Sequence, residues 1–182
     1  MSERESRTQT PGQYSQAANE PGLRIVPSTM DDRRAIYDVL LNSGVFGQSD
    51  AEVVDGMFVE AFTGPSDDNY RFLSCWEGSR LVGFACYGSE SMTQGTWDLF
   101  WICVSGQLRR RGAGRALLND VQQRAAQERV RLIVIYTSST EKYTAARRLY
   151  ESLGFERVAV VPDYYDNGDD LFIYTKSMTR KE

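Results

Sequence analysis

The sequence predicts a single α/β domain built on one mixed sheet, and two patterns support that prediction. The first is a strand, a helix and a second strand in succession, with apolar runs over 96–104 and 131–137 on either side of an amphipathic segment. Such a crossover makes the two strands parallel. The second pattern is a hairpin on each side of this unit, which adds antiparallel strands. A chain of 182 residues, 41% of them hydrophobic, suits one domain with a full core.

Ahead of the crossover unit, the sequence predicts a polar tail, one strand, two helices and a hairpin. Residues 1–21 contain almost no apolar side chains and should form a disordered tail, so the folded domain should span 22–178. We expect a strand at 23–26, a helix from an N-cap at Ser28 to Leu41, a helix over 50–62, and hairpin strands at 70–76 and 81–87 around Gly78.

The helix of the crossover should run to about residue 128, because Leu117, Val121 and Ala125 recur at helical spacing. After the second parallel strand, the sequence predicts one more helix and a final hairpin. We expect a polar loop at 138–143, a helix over 144–153 ended by Gly154, a strand at 155–161, a long turn at 162–169, and a last, antiparallel strand at 171–176.

The composition excludes several classes of function. A net charge of −4 argues against a nucleic-acid partner. The absence of histidine removes Ser-His-Asp and Cys-His chemistry and His-ligated metals, and nothing indicates another metal site. Cys75, Cys86 and Cys103 lie in apolar, strand-like contexts, which indicates reduced, buried thiols. No apolar run is long enough to span a membrane and no signal core is present, so we expect a cytoplasmic protein without a membrane partner.

A basic loop containing two glycines joins the first parallel strand to the helix. The first N–H groups of a helix have no internal partner and the helix dipole adds positive potential there, so this position favours an anion. The pattern is neither Gly-x-Gly-x-x-Gly nor a P-loop. A charge run can also be only a solvated surface, but its place between a strand and a helix favours phosphate binding. The residues concerned are Arg109, Arg110, Arg111, Gly112, Ala113, Gly114 and Arg115.

Two segments carry a resemblance to a known family. Residues 109–114, directly after a strand ending in Val104, resemble the acyl-CoA pyrophosphate loop (Arg/Gln-x-x-Gly-x-Gly) of the GNAT superfamily of N-acetyltransferases. Residues 146–155 resemble the second signature of that family, Ala-x-x-(Leu/Phe)-Tyr-Glu-x-x-Gly-Phe, and lie one strand later, as the family requires. The resemblance extends over roughly 23–176. It implies a mixed, mostly antiparallel sheet whose central parallel strands splay apart, with helices on both faces and the pantetheine arm in the opening.

The resemblance also implies roles for particular residues. Acetyl-CoA would be the co-substrate, with the strand end at Cys103 and Val104 bonding its pantetheine and acyl group and residues 109–115 holding its pyrophosphate. Tyr150 matches the tyrosine that commonly protonates the CoA thiolate; the alternative is a core residue of its helix, and the motif favours the catalytic role. Tyr143 stands where the family often has an asparagine that helps to bind CoA, so that contact should be lost or replaced.

A general base must take a proton from the acceptor amine, and Asp98 is the leading candidate. It precedes Val104 by six residues, an even offset that would place both on one side of a strand without a bulge. Its position also looks like that of the glutamate base in histone-type members of the family. Alternatively, Asp98 is satisfied by hydrogen bonds at the start of the strand, and Glu90 in the preceding loop is the substitute base.

The acceptor side is expected to be acidic and aromatic. Tyr164 and Tyr165 lie in a loop with several aspartates, which suits a cationic amine, and Trp101 could line the same cleft or belong to the core. The predicted function is transfer of an acetyl group from acetyl-CoA to a primary amine of a small metabolite or amino-acid-like acceptor, by direct attack in a ternary complex. Alternatives are a protein N-terminal or lysine acetyltransferase and a non-catalytic acyl-CoA-binding regulator. A homodimer is possible, since dimers are common in the family.

Overall fold

The computed structural model describes residues 22–64, 70–106 and 112–179. The predicted tail at 1–21 and the arginines Arg109, Arg110 and Arg111 lie outside the described residues. The strands are β1 (Leu23–Pro27), β2 (Arg71–Glu77), β3 (Arg80–Ser89), β4 (Thr96–Val104), β5 (Leu132–Ser138), β6 (Glu156–Asp166) and β7 (Asp169–Ser177). The helices are α1 (Arg33–Leu41), α2 (Gln48–Thr63), α3 (Ala113–Gln127) and α4 (Thr144–Ser152), with short 3-10 turns at Met30–Asp32 and Glu141–Tyr143.

The strands form one mixed sheet in the order β1-β2-β3-β4-β5-β7-β6. The β4–β5 pair is parallel, as the crossover predicts, and the neighbouring pairs are antiparallel. Parallel pairing extends only from Thr96 opposite Leu132 to Asp98 opposite Val134, although both strands continue beyond these residues. The two central strands therefore part after Asp98, which confirms the predicted fold.

Helices cover both faces of the sheet, and each face has its own core. On one face, α3 buries Leu117, Leu118, Val121 and Ala125 completely, and α4 adds Tyr150 to the same cluster. On the other face, α1 and α2 bury a second cluster against β2 and β3, with Leu40 and Phe58 at its centre. The helical spacing seen in the sequence thus corresponds to the buried side of α3. No helix in the described ranges is long and apolar enough to cross a membrane.

Strand β4 contains a bulge that changes which side its residues face. Cys86 pairs with Trp101 but the next residue, Tyr87, pairs with Leu99, so Phe100 has no partner in β3. Phe100 and Trp101 consequently both face the α1/α2 core, whereas Leu99 and Val104 face the α3/α4 core. Asp98, between two residues of the α3/α4 core, faces the α1/α2 side. The expectation that Asp98 and Val104 share a side is therefore wrong, because the bulge reverses the alternation between them.

Two predicted boundaries also differ from the structure. The long turn expected at 162–169 is mostly strand: β6 runs to Asp166, and the chain reverses at Asn167 and Gly168, where Gly168 has a φ of +78°. Gly168 thus supplies the one left-handed residue of this two-residue turn, and Pro162 is tolerated in a bulge of an edge strand. The first helical turn is preceded by Thr29, not Ser28: Asp32 accepts the Thr29 N–H at 3.0 Å, while Ser28 Oγ bonds Ser74 Oγ at 2.8 Å.

Candidate active site

The opening between β4 and β5 exposes one edge of β4. Val104 pairs with Gly83 of β3 on one side, but residues 99–104 have no pairing with β5 on the other among the residues that the structure describes. Cys103 directs its thiol into the α1/α2 core, 3.9 Å from the Val39 carbonyl oxygen, so it would contribute to this edge through its backbone. An extended ligand can complete the hydrogen bonds of such an edge in the way a further strand would.

The start of α3 lies at the mouth of this opening. Gly112 is the N-cap residue with a φ of +81°, a conformation that favours glycine, and its carbonyl oxygen accepts the Ala116 N–H at 2.9 Å. Ala113 is buried, so its side chain is not available to a ligand. The first N–H groups of this 15-residue helix have no intrahelical partner, which makes them suitable for a phosphate.

Gly114 lies where β4, α3 and α4 come close together. A Cβ at this position would lie 3.2 Å from Leu149 Cδ2 and 3.7 Å from Val104 Cγ2. Arg115, one residue further, is exposed and donates from its guanidinium to Ser152 Oγ at 2.8 Å, which joins α3 to the end of α4. The predicted pyrophosphate residues from Gly112 to Arg115 therefore surround the junction of three elements.

Tyr150 lies on α4 with only 5% of its surface exposed. Its ring is 5.8 Å from the ring of Tyr174 and 6.3 Å from that of Phe155. Burial, with smaller contributions from Tyr143 and Tyr174, raises the pKa of the Tyr150 phenol well above its ordinary value. Tyr150 is thus a core residue and also a group that stays protonated, so it can act as a proton donor and not as a base.

The loop after β5 is held by an arginine and an aspartate. Arg147 donates to the carbonyl oxygens of Ser138 at 2.7 Å and Thr140 at 2.8 Å. Asp169, at the start of β7, accepts from Ser138 Oγ at 2.5 Å and from the Ser139 N–H at 3.2 Å. These bonds tie the loop to the final hairpin and so determine where Tyr143, the last residue of the loop, can lie.

Aromatic rings connect Tyr143 to β4. The Tyr143 ring makes an edge contact with Phe46 at 6.1 Å, and Phe46 makes one with Trp101 at 5.2 Å. Trp101 Nε1 points to Met57 Sδ at 3.3 Å. Trp101, proposed from the sequence as a lining residue of the acceptor cleft, is thus half-buried against α2 on the side of the sheet that Asp98 faces.

Asp98 has the environment expected of a functional carboxyl group. Asp98 is 5% exposed and lies beside Glu90, and its Oδ1 atom has no hydrogen-bond partner among the described residues. Burial, followed by the hydrogen bond and the negative charge of Glu90, raises the pKa of Asp98 to about 7. The structure therefore brings together the two carboxyl groups that the sequence offered as alternatives.

Tyr136 lies near this carboxyl pair, and Tyr164 lies near Tyr136. Tyr136 follows Val134, the β5 partner of Asp98, by two residues, so it faces the same side, and it is 50% exposed. Burial and the charges of Asp98, Glu90 and Tyr164 raise the pKa of Tyr136. The rings of Tyr164 and Tyr165 lie 5.0 Å apart in the bulge of β6. Tyr136 was not among the predicted site residues; the signal that could have found it is its even spacing from a residue expected opposite Asp98.

Fold and site together point to a class of protein, the acyltransferases: the central parallel strands splay apart, the start of α3 suits an anion, and the carboxyl group of Asp98 is buried beside Glu90. A model of the Acetyltransferase (GNAT) family matches residues 34–155. The chain belongs to the GNAT acetyltransferase family, and it is accordingly an acetyl-CoA-dependent N-acetyltransferase. The resemblance stated from the two sequence motifs is confirmed.

Three relatives show how far the likeness extends. A GNAT-family acetyltransferase from Desulfovibrio desulfuricans is 32% identical, covers 86% of this chain and 99% of its own, and has a TM-score of 0.82. YsnE, an uncharacterized N-acetyltransferase of Bacillus subtilis, is 25% identical over 128 residues, which is 70% of this chain and 82% of YsnE. The acetyltransferase YncA of Salmonella typhimurium, solved with its cofactor acetyl-CoA, shares the fold at 20% identity, covering 88% and 96% of the two chains with a TM-score of 0.69.

Proposed function

We propose that this protein transfers an acetyl group from acetyl-CoA to a primary amine of a small, cationic metabolite or amino-acid-like acceptor, by direct attack in a ternary complex. The observation that carries the proposal is Asp98: a buried carboxyl group with one oxygen lacking a partner among the described residues, beside the opening between β4 and β5. A general base in that position would remove a proton from an acceptor amine bound in the opening.

Acetyl-CoA supplies the thioester, and the described residues suit its binding. The β5-facing edge of β4 offers backbone groups to the pantetheine arm, and the first turn of α3, from Gly112, offers N–H groups to the pyrophosphate. The side chain of Arg115 is held by Ser152, so we assign most phosphate binding to the main chain.

Two residues would handle the protons. Asp98 accepts the proton that the acceptor ammonium loses, directly or through water, and its pKa of about 7 matches a base that works at neutral pH. As the nitrogen–carbon bond forms and the carbon–sulfur bond breaks, Tyr150 donates its phenolic proton to the leaving sulfur, and the second proton lost by the acceptor nitrogen returns to Tyr150 through water. Its raised pKa means that the phenol is protonated before the reaction.

The acceptor side is acidic and aromatic, which favours a cation. Asp98 and Glu90 supply carboxyl oxygens, and Tyr136, Tyr164 and Tyr165 supply ring faces at least partly open to solvent. A lysine or N-terminal amine of a protein carries the same charge, so the protein-acetyltransferase alternative differs in acceptor size and not in chemistry.

The test is CoA-thiol release from acetyl-CoA in the presence of separate pools of small amines, amino acids and short peptides. Release with the amine or amino-acid pool, and its loss in Asp98→Asn, supports the proposal. Release with peptides alone would favour the protein-acetyltransferase alternative. Calorimetric binding of acetyl-CoA without release in any pool would favour a non-catalytic acyl-CoA-binding regulator.

A further inference from the structure

The Asp98–Glu90 pair is built by the β3–β4 hairpin. Gly88 pairs with Asp98, and two residues later the Glu90 N–H donates to the Thr96 carbonyl oxygen at 2.9 Å. Glu90 is therefore opposite Thr96, and Thr96 and Asp98 lie on the same side of β4. The two carboxyl groups become diagonal neighbours on one face of the sheet, within reach of each other's hydrogen bonds.

A hydrogen bond between two carboxyl groups requires a proton. Two ionised carboxylates offer only acceptor oxygens, so one group of the pair must be protonated for the bond to exist. Asp98 is the more buried partner, and Glu90 is half-buried. The register and the burial of Asp98 therefore suit a pair in which one proton is shared between the two carboxyl groups.

The surroundings do not neutralise the pair. Tyr136 comes from β5 and Tyr164, its neighbour, from β6, and neither side chain can carry a positive charge. Among the described residues, no lysine or arginine forms an ion pair with either carboxyl group. Glu90 is therefore the charged residue that affects the pKa of Asp98.

We propose that Glu90 is a positioning residue that holds Asp98 through a shared proton, so that the pair, and not Asp98 alone, is the unit that takes the proton from the acceptor amine. The inference rests on the proposed function only for this last step. When the pair has lost its shared proton to solvent, Asp98 can accept one proton from the ammonium, and the shared hydrogen bond with Glu90 then forms again.

The replacement Glu90→Gln separates the two influences on Asp98. Glutamine keeps the size of the side chain, removes its charge and can donate a hydrogen bond to the Asp98 carboxylate. Burial, the larger cause of the raised pKa, remains. The pKa of Asp98 should fall by about one pH unit, so the rise of activity with pH should begin about one pH unit lower. At high pH, where Asp98 is ionised in the unmodified protein and in the variant, the variant should be slower because its Asp98 is a weaker base.

The decisive measurement is independent of activity. In full-length protein with 13C-labelled aspartate, the Asp98 carboxyl resonance, assigned by its loss in Asp98→Asn, should titrate near neutral pH. In Glu90→Gln its midpoint should lie about one pH unit lower. Glu156→Gln, which removes an exposed charge at the start of β6, is the matched control and should leave the midpoint unchanged.

An unchanged midpoint in Glu90→Gln would overturn the proposal, as would a shift of the same size in Glu156→Gln. Glu90→Ala provides a second variant, with the same direction expected, should the glutamine variant fold poorly by circular dichroism. Failure of the proposed function has a different signature: Asp98→Asn would retain full CoA release although the NMR midpoint moves in Glu90→Gln. The pH profile of CoA release then completes the test, because in an enzyme that uses the pair it should move together with the midpoint.

Discussion

At the scale of single residues, the proposed base and the proposed acid lie on opposite faces of the sheet. Asp98 faces the α1/α2 side and Tyr150 belongs to the α3/α4 core. Both pKa values are raised, mainly by burial, but the consequences differ. The pKa of Asp98 is raised to a value at which the group can accept and release a proton near neutral pH. The pKa of Tyr150 is raised further from neutrality, so this residue stays a proton donor.

Replacing Asp98 with asparagine should lower kcat/KM about 100-fold or more, since a positioned base commonly contributes that much. Asparagine has the same shape, so acetyl-CoA binding should stay within about twofold by calorimetry. Steady-state CoA release with the best acceptor is the measurement. Activity near that of the unmodified protein would assign Asp98 a structural role.

Replacing Tyr150 with phenylalanine should lower kcat about tenfold or more, because the leaving thiolate then loses its proton donor. The ring contacts with Tyr174 and Phe155 are retained, so acetyl-CoA affinity should be nearly intact. Turnover is measured at saturating acetyl-CoA. Tyr174→Phe, which removes a hydroxyl bonded to Glu151 in the same core, is the matched control and should leave kcat largely unaltered.

At the scale of elements, β4 shows how an irregularity places a site. The extra residue Phe100 turns both aromatic residues that follow Leu99 toward α1 and α2, and it leaves Asp98 and Val104 on opposite faces. In this arrangement the base faces the acceptor side, while the end of the strand faces α3. The glycine positions at the start of α3 complete the arrangement, because they let three elements meet closely.

Gly114→Glu should abolish acetyl-CoA binding, through bulk at the junction of β4, α3 and α4 and through a negative charge where phosphate would bind. Gly114→Ala should bind more weakly but measurably, since its Cβ meets the flexible end of Leu149 at 3.2 Å. Calorimetry with acetyl-CoA is the measurement. Gly56→Glu is the control, because Gly56 lies on the exposed side of α2 with nothing within 4 Å of an added Cβ. Normal acetyl-CoA affinity of Gly114→Glu would show that Gly114 is not part of the binding site.

At the scale of the whole molecule, the sheet separates two kinds of surface. The helix start that suits phosphate and the carboxyl pair that suits a cation lie at the same opening between the central strands. An anionic donor and a cationic acceptor can therefore approach one cleft without competing for the same groups. This separation is consistent with direct transfer in a ternary complex.

The buried Asp98 should also affect global stability. Its pKa of about 7 in the folded protein lies above the ordinary value of 3.8. Between these values the folded state binds the proton and the unfolded state does not, so stability falls as pH rises toward 7. Asp98→Asn lacks this term, so the variant should gain stability relative to the unmodified protein between pH 5 and about pH 8. Urea unfolding at both pH values measures this; an equal difference at each pH would contradict it.

The sequence by itself determined the order of elements, the parallel central pair and the family. Those properties depend on local patterns: the apolar runs on either side of α3, the glycines at its start, and the segment around Tyr150. Each pattern is contained within about one or two elements, so it can be recognised without knowing what the element packs against.

Only the tertiary structure decided how the site is assembled. The β4 bulge depends on the register with β3, which neither strand specifies alone, and it reverses the predicted relation between Asp98 and Val104. The pairing of Asp98 with Glu90, and the approach of Tyr136 and Tyr164, bring together residues from three strands and a hairpin. The pKa of Asp98 follows from that burial and that neighbour, so the chemistry of this carboxyl group exists only in the folded chain.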